Sequence, residues 1–195
     1  MQGLRDEEVM AMYQKGDVLA MDELLKRYKN PIFHFAYRFL GNRDEAQEIA
    51  QEVFLRIHIQ KDRYKPMGKF STWIFAIAHH LCVSVIRKRR RFVLWPRKKD
   101  QEDAYVDFSS SDPSPDESTI QNDLQKTVKR CIDTLPFLQK EALVLREYHA
   151  MSYEDIAATM KRSINTVKSL VHRARMNLKQ KLLPIVYEVE RGQQC

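Results

Sequence analysis

Apolar residues recur at intervals of three or four along most of this chain, which is the spacing of one buried face of an α-helix. In the N-terminal part, this pattern predicts a short helix over Asp6 to Lys15, a second helix after Asp17 and a third that begins at Asn42. Asp17 and Asn42 are favourable N-cap residues, and Glu45 follows Asn42 at the spacing of a capping box. Pro31 is expected to interrupt or restart the second helix. The pattern predicts an all-helical fold.

A long helix is predicted to begin with Ser71 as its N-cap, after a loop over 62–69 in which Pro66 and Gly68 disfavour both helix and strand. Its apolar stripe is expected to pack inward and consists of Ile74, Ile77, Leu81 and Val85. Another side carries one aromatic residue and then polar and basic ones: Trp73, His80, Ser84, Arg87, Lys88 and Arg91. This side suits nucleic acid with unpaired bases, because Lys and Arg bind phosphates and aromatic rings stack on bases. The alternative is that Trp73 belongs to the core and the basic residues are a solvated helix end.

The C-terminal part is again periodic, with apolar residues at intervals of four from Ile120 to Ile132 and a break at Pro136. A helix over about 137–148 is followed by a short helix that Ser152 and Asp155 begin as a second capping box. A turn around 161–163 then leads to the last helix. Two short helices joined by a tight turn are typical of a helix-turn-helix, whose second helix enters the major groove of DNA.

Polar residues cluster at the start and outer side of that last helix, where they can reach base edges or phosphates. They are Asn165, Thr166, Lys168, Ser169, His172, Arg173 and Arg175. An amphipathic helical hairpin that binds no DNA is the alternative for this segment.

The charge pattern divides the chain. A formal net charge of +7 and a pI of about 9.3 favour a polyanionic partner. Eight residues between 87 and 99 are basic and none is acidic, whereas seven residues between 100 and 118 are acidic and none is basic. Two prolines and five serines in the acidic stretch predict an extended linker. We therefore expect domains over 1–96 and 119–184, a linker over 97–118 and a tail over 185–195.

The third predicted helix carries acidic residues on one side of an otherwise basic protein. Glu48, Gln51 and Glu52 are polar positions outside its apolar stripe, and Phe54 lies beside the stripe. An acidic surface does not face DNA, so it is either a solvated face or a docking surface for a basic partner protein.

Several classes of function find no support in the sequence. The three cysteines are far apart and form no CxxC pair, which favours reduced thiols in a cytoplasmic protein. No apolar run approaches the roughly 20 residues that cross a bilayer, and the N-terminus does not resemble a signal peptide. We expect no metal, no cofactor and no membrane insertion. A nucleic-acid enzyme would need a carboxylate cluster near the basic helix, and we identify none.

Taken together, the motifs resemble the extracytoplasmic-function (ECF) sigma factors of bacterial RNA polymerase. DEAQEIAQEVFLRIH resembles region 2.2 of that family, and FSTWIFAIAHHLCVSVIRKRRR resembles regions 2.3 and 2.4. LPFLQKEALVLREYHAMSYEDIAATMKRSINTVKSLVHRARMNLKQKL resembles region 4. The resemblance implies two small helical domains, a region 2 bundle and a region 4 helix-turn-helix domain, joined by the acidic linker. It also implies transcription initiation: the chain would bind core RNA polymerase, direct it to promoters and promote DNA melting, without being an enzyme.

The resemblance assigns roles to matching positions. Core polymerase would bind Glu48, Gln51, Glu52 and Phe54. The melted −10 element would bind Tyr64, Lys69, Phe70, Trp73, His80, Ser84, Arg87, Lys88 and Arg91, with one base captured in the loop over 62–69. The duplex −35 element would bind Asn165, Thr166, Lys168, Ser169, His172, Arg173 and Arg175. An anti-sigma factor is a further partner that the family implies.

The chain departs from the family at several of these positions. His80 and Ser84 stand where Asn and Asp are common, and Leu170 stands where an Arg often follows Lys-Ser. A stand-alone helix-turn-helix regulator remains the rival hypothesis, although it leaves the Phe70 helix and the acidic face unexplained.

Overall fold

The computed structural model describes residues 3–66, 68–93 and 120–192. Over these ranges the chain forms eight α-helices and one 3₁₀ turn and no strand, which confirms the all-helical prediction. The elements are α1 (Asp6–Gln14), α2 (Val18–Leu40), α3 (Arg43–Gln60), the 3₁₀ turn (Lys61–Arg63), α4 (Phe70–Val93), α5 (Ile120–Asp133), α6 (Phe137–Glu147), α7 (Tyr153–Met160) and α8 (Ile164–Gly192). The predicted linker over 97–118 lies outside the described residues.

Asp17 and Asn42 are N-caps, as the sequence predicts, whereas Ser71 is not one, because α4 already begins at Phe70. The Asp17 side chain accepts a hydrogen bond from the Leu19 N–H, and Asn42 Oδ1 accepts one from the Glu45 N–H, both at 3.0 Å. The expected interruption at Pro31 does not occur, because α2 is one helix from Val18 to Leu40. Packing compensates for the lost backbone hydrogen bond, since α2 buries a long apolar face on both sides of the proline.

Helices α1 to α4 form one bundle around a shared core. Phe35 of α2, Ile57 of α3 and Ile74 of α4 are each fully buried in it. Contrary to the sequence-based expectation, the Phe70–Arg89 part of α4 is long and apolar enough to cross a membrane by length and composition. Its apolar side is the centre of this bundle, and a core helix of a globular protein meets the same criterion.

Helices α5 to α8 form the second helical unit. Leu145, Ile156 and Val167 are fully buried and connect α6, α7 and α8. A smaller apolar cluster joins α5 to α6 and α8 through Ile132, Leu135, Leu143 and Ala174. Helix α8 continues through Pro184 to Gly192, beyond the end expected from the sequence.

The two units pack directly against each other, α7 and α6 lying on α4 and α2. Rings meet across this interface: Phe39 and Phe137 lie 5.4 Å apart between centroids, and His149 lies 4.4 Å from Phe75. His79 of α4 contacts the carboxylate of Glu141, which is fully buried in α6. The main apolar core of the described residues therefore runs through both units, and the cluster that joins α5 to α6 and α8 is a second, smaller one.

Candidate nucleic-acid and protein interfaces

The loop after α3 and the first turn of α4 build an aromatic cluster. Ring centroids of Tyr64 and Trp73 lie 4.8 Å apart, and Phe70 lies 5.7 Å from Trp73 and 5.9 Å from Tyr64. Tyr64 and Phe70 are buried, whereas Trp73 is only half-buried. Burial, and then the nearby carboxylates of Glu7 and Asp6, raise the pKa of Tyr64. Of the three predicted −10 contacts in this cluster, only Trp73 is partly accessible. Tyr64 and Phe70 need correction, because both are buried and pack against Trp73 instead of lining a surface.

The polar side of α4 is exposed as the sequence predicts. His80, Ser84, Arg87 and Lys88 are all exposed, and the Arg91 side chain lies outside the described residues. The Ser84 hydroxyl donates to the His80 carbonyl at 2.8 Å, so its hydrogen is engaged within the helix. Burial, followed by the neighbouring His79, lowers the pKa of His80, which favours a neutral imidazole able to donate and accept hydrogen bonds.

Arg89 stands within this basic run but is used structurally. Its guanidinium pairs with the Glu45 carboxylate and donates to the Leu40 carbonyl at 3.2 Å. It therefore fastens the end of α4 to the junction of α2 and α3. The sequence shows only a basic residue among others here, because the partner lies 44 residues away.

The start of α4 is partly covered by α7. Lys69 Nζ lies 2.8 Å from Asp155 Oδ2, and the Thr72 hydroxyl donates to Asp155 Oδ1 at 2.9 Å. Burial opposes ionisation of Asp155, but hydrogen bonds from Lys69, Ser152 and Thr72 outweigh it and lower the pKa of Asp155. A predicted −10 contact, Lys69, is thus paired with the C-terminal unit in this arrangement.

Helices α7 and α8 have the geometry of a helix-turn-helix. The Ser152 hydroxyl accepts from the Asp155 N–H at 3.0 Å and so caps α7. Lys161 ends α7 in the left-handed region with φ of 53°, which turns the chain sharply towards α8. Ser163 then accepts from the Thr166 N–H at 3.2 Å at the start of α8.

Every predicted −35 residue lies on the exposed part of α8. These are Asn165, Thr166, Lys168, Ser169, His172, Arg173 and Arg175. Three are engaged within the protein. The Thr166 and Ser163 hydroxyl oxygens are hydrogen-bonded at 2.8 Å, Lys168 Nζ lies 5.9 Å from the centroid of the Tyr153 ring, and Arg175 pairs with Glu147 at 2.5 Å. The other side of α8 buries Val167, Val171 and Ala174, which fixes which side faces outward.

The outer side of α3 differs in part from the prediction. Glu48 and Gln51 are exposed, and Glu52 is half-buried and paired with Arg56 at 2.8 Å. Phe54 needs correction: only 6% of it is exposed, because its ring packs in the bundle core, and it cannot line an outer surface.

Two apolar residues that the sequence analysis missed lie exposed on α3. Leu55 is 51% exposed and Ile59 is 68% exposed, and they stand four residues apart on one side of the helix. The sequence could have indicated both residues, because they are apolar but lie outside the apolar stripe of α3. The outer face of α3 therefore consists of Glu48, Gln51, Glu52, Leu55 and Ile59, a mixed acidic and apolar surface.

Comparison with known families agrees with this architecture. Residues 24–92 match the family model for sigma-70 region 2, and residues 117–178 match the model for sigma-70 region 4. The chain belongs to the sigma-70 family and, within it, to the ECF sigma factors. It is a promoter-specific transcription initiation factor, and the stand-alone regulator hypothesis is not favoured.

Similar proteins come from several bacteria. The chain is 32% identical to the RNA polymerase sigma-H factor of Pseudomonas aeruginosa over 190 residues, covering 94% of this chain and 97% of that protein. It is 31% identical to the ECF RNA polymerase sigma factor SigW of Bacillus subtilis over 172 residues, covering 87% and 92%.

Two solved structures have the same fold. CnrH, in complex with the cytosolic domain of CnrY, superposes with a TM-score of 0.68 over 91% of this chain and 96% of that chain, at 20% identity. RpoE from Bartonella quintana, in complex with the anti-sigma factor NepR, superposes with a TM-score of 0.65 over 83% and 95%, at 25% identity.

Proposed function

We propose that this initiation factor binds core RNA polymerase through the outer face of α3. The observation that carries this proposal is the mixed surface itself: Leu55 and Ile59 are exposed apolar side chains next to exposed Glu48 and Gln51. Leu55 and Ile59 lie four residues apart on one side of α3, and an apolar patch with a polar rim is typical of a protein interaction site, while the acidic rim adds selectivity for a basic partner. A helix of the polymerase's largest subunit is the partner.

Trp73, supported by the buried rings of Tyr64 and Phe70, captures the melted −10 strand. Trp73 stacks on an unpaired base, and the exposed His80, Arg87 and Lys88 follow the strand along α4. The exposed start of α8 reads the −35 element in the major groove, where Lys168, Ser169 and Arg173 reach bases or phosphates. Binding the opened strand offsets part of the cost of melting, so the factor promotes initiation without a catalytic step of its own.

An anti-sigma factor regulates this chain in the cytoplasm. RpoE, which is similar in fold and 25% identical, was solved with such a partner. The domains occupy 1–96 and 119–184, with the linker over 97–118 passing through polymerase towards the RNA exit path.

Run-off transcription with purified core polymerase on genomic fragments tests this function. The wild-type chain is expected to direct discrete transcripts. Glu52→Lys should lose core binding, because it reverses a charge on the outer face of α3. Asp22→Lys reverses a charge at an exposed position of α2 and should retain core binding. Failure of the wild type to bind core polymerase at all would overturn the proposal.

Trp73→Ala tests the −10 assignment separately. This variant should bind core polymerase and the −35 duplex normally but bind the melted −10 strand about tenfold more weakly, the range for loss of one stacked base. Trp73→Phe keeps a ring and should retain most of the affinity. Equal affinity of Trp73→Ala and wild type for the melted strand would exclude Trp73 from base capture.

A further inference from the structure

Helix α1 lies outside the segment that matches sigma-70 region 2, which begins at residue 24. Its polar side chains nevertheless converge on the loop that carries the aromatic cluster. The Gln14 amide, at the end of α1, donates from Nε2 to the Lys61 carbonyl at 2.7 Å and to the Tyr64 carbonyl at 3.0 Å. These two carbonyls belong to the start of the 3₁₀ turn and to the residue after it, so one amide holds both ends of the turn.

Glu7 holds the far end of the same loop. Phe70 is the first residue of α4, and its N–H donates a hydrogen bond to Glu7 Oε1 at 2.7 Å. An N–H in the first turn of a helix has no acceptor within the helix, and a carboxylate there also interacts favourably with the helix dipole. Glu7 therefore acts as an N-cap supplied by another helix. Glu7 and Gln14 are two turns apart on α1, so they share one side of it.

Helix α1 is itself firmly attached to the bundle. Asp6 accepts hydrogen bonds from Arg27, at 2.7 Å, and from Tyr28, while the Tyr13 hydroxyl meets His58 Nδ1 at 2.5 Å. Val9 and Met10 are fully buried. Glu7 and Gln14 therefore lie on a helix that is held in place by the bundle. A residue can position a neighbouring segment only if it is itself held in place.

We propose that Gln14 and Glu7 are positioning residues for −10 recognition: together they hold the backbone at Tyr64 and Phe70, whose rings pack against Trp73. They touch no DNA. Gln14 fixes the backbone at Tyr64, and Glu7 fixes it at Phe70, the two residues that pack on Trp73. This inference rests on the proposed function, because it assigns the aromatic cluster to capture of the melted strand.

Gln14→Met tests the proposal, because methionine keeps the length of the side chain and removes both donated hydrogen bonds. Holoenzyme is assembled from core polymerase and the full-length variant, and a promoter recovered by run-off transcription supplies the DNA. The affinity for the single-stranded −10 oligonucleotide should fall about fivefold, the factor expected for one or two lost hydrogen bonds. Core binding and −35 duplex binding should stay at the wild-type level.

Rescue separates positioning from packing. Gln14→Lys restores N–H donors that can reach the two carbonyls, so it should regain most of the −10 affinity. Gln180→Met makes the same glutamine-to-methionine change on exposed α8 and serves as the matched control. Equal −10 affinity of Gln14→Met and wild type would overturn the proposal. Parallel losses of core, −35 and −10 binding would also overturn it, because they indicate general destabilisation.

A second pair of variants tests the other anchor without DNA. In a Trp95→Phe background, Trp73 is the single tryptophan and its fluorescence reports on the cluster. Glu7→Leu removes the acceptor and should shift the Trp73 emission to longer wavelength and increase acrylamide quenching, while Glu7→Gln keeps an acceptor and should not. Unchanged Trp73 emission in both Glu7→Leu and Gln14→Met would contradict a positioning role. If the wild-type chain binds no core polymerase, the proposed function is refuted. The fluorescence experiment uses neither DNA nor polymerase, so it still shows whether Glu7 and Gln14 position the aromatic cluster.

Discussion

The Thr72 hydroxyl in the first turn of α4 donates a hydrogen bond to Asp155 of α7 at 2.9 Å, across 83 residues of sequence. Asp155 Oδ2 also accepts a hydrogen bond from the hydroxyl of Ser152, the N-cap of α7, and pairs with Lys69. One carboxylate therefore joins the helix-turn-helix to the beginning of the helix that we assign to the −10 strand. In this arrangement α7 covers the start of α4 beside Lys69, a proposed −10 contact, so we expect the two units to separate when α4 binds the −10 strand.

Thr72→Val should shift the chain towards separated units. Valine has the shape of threonine but cannot donate the hydrogen bond to Asp155. Losing this hydrogen bond should destabilise the contact between the units by about 1 kcal/mol, which changes the ratio of separated to packed chains roughly fivefold. Hydrogen exchange of peptides from α7 and from the start of α4 measures this shift, and the radius of gyration from X-ray scattering should rise with it.

Thr159→Val is the matched control for this experiment. Thr159 is fully buried in α7, and its hydroxyl oxygen accepts or donates no hydrogen bond within the described residues. The same substitution there should leave the units in contact and the stability unchanged or slightly higher. Exchange that increases equally in both variants would show that Thr72 has no specific role in the contact.

The buried pair of His79 and Glu141 should show strong coupling in a double-mutant cycle. Burial raises the pKa of Glu141, while the contact with His79 opposes that rise. His79→Leu leaves the carboxylate buried without its partner and should cost about 3 kcal/mol of unfolding free energy. In a Glu141→Gln background there is no buried carboxylate to lose its partner, so His79→Leu should lower the unfolding free energy by less than about 1 kcal/mol. Denaturant unfolding of the four proteins measures the coupling, and equal costs in both backgrounds would disprove it.

His149 should make the fold sensitive to acid. Burial between Phe35 and Phe75, with further contributions from Arg38 and His34, lowers the pKa of His149 from 6.5 to about 4. The folded chain therefore binds a proton at His149 less readily than the unfolded chain does. Stability is lost as the pH falls from about 6.5, and the full loss is reached below about 4.

The variant His149→Phe isolates this effect, because it keeps a ring between the two phenylalanines and removes the titrating group. Melting temperatures of both proteins, measured by circular dichroism from pH 8 to pH 4, should diverge below about 6.5. The wild type should lose more stability than the variant. A difference that stays constant over this range would contradict the lowered pKa.

Leu55→Ser should weaken binding to core polymerase without unfolding the chain. Leu55 is 51% exposed on α3, so its substitution should change the unfolding free energy by no more than about 0.5 kcal/mol. Leu19→Ser on α2, at a position that is 68% exposed, provides the same chemical change away from the proposed surface. If both variants bind core polymerase with equal affinity, the outer face of α3 is not part of the polymerase interface.

Local patterns in the sequence were enough to predict most of the helices and the family, although not the continuity of α2 through Pro31. Caps such as Asp17, Asn42 and Ser152 act on amides two or three residues away, and helical periodicity needs only local spacing, so both can be identified along the chain. The motifs that carry the family resemblance are likewise continuous segments of the chain. The exposed start of α8 follows directly from its apolar stripe.

The contacts of individual side chains became known only from the folded structure. Phe54 and Leu55 are neighbours of similar apolarity, and only the packing of α3 in the bundle buries the first and exposes the second. Arg89 pairs with Glu45 over a separation of 44 residues, and Gln14 reaches Tyr64 over 50. Such contacts depend on how the helices pack, and packing is the sum of many weak interactions between distant segments, so no local pattern in the sequence encodes them.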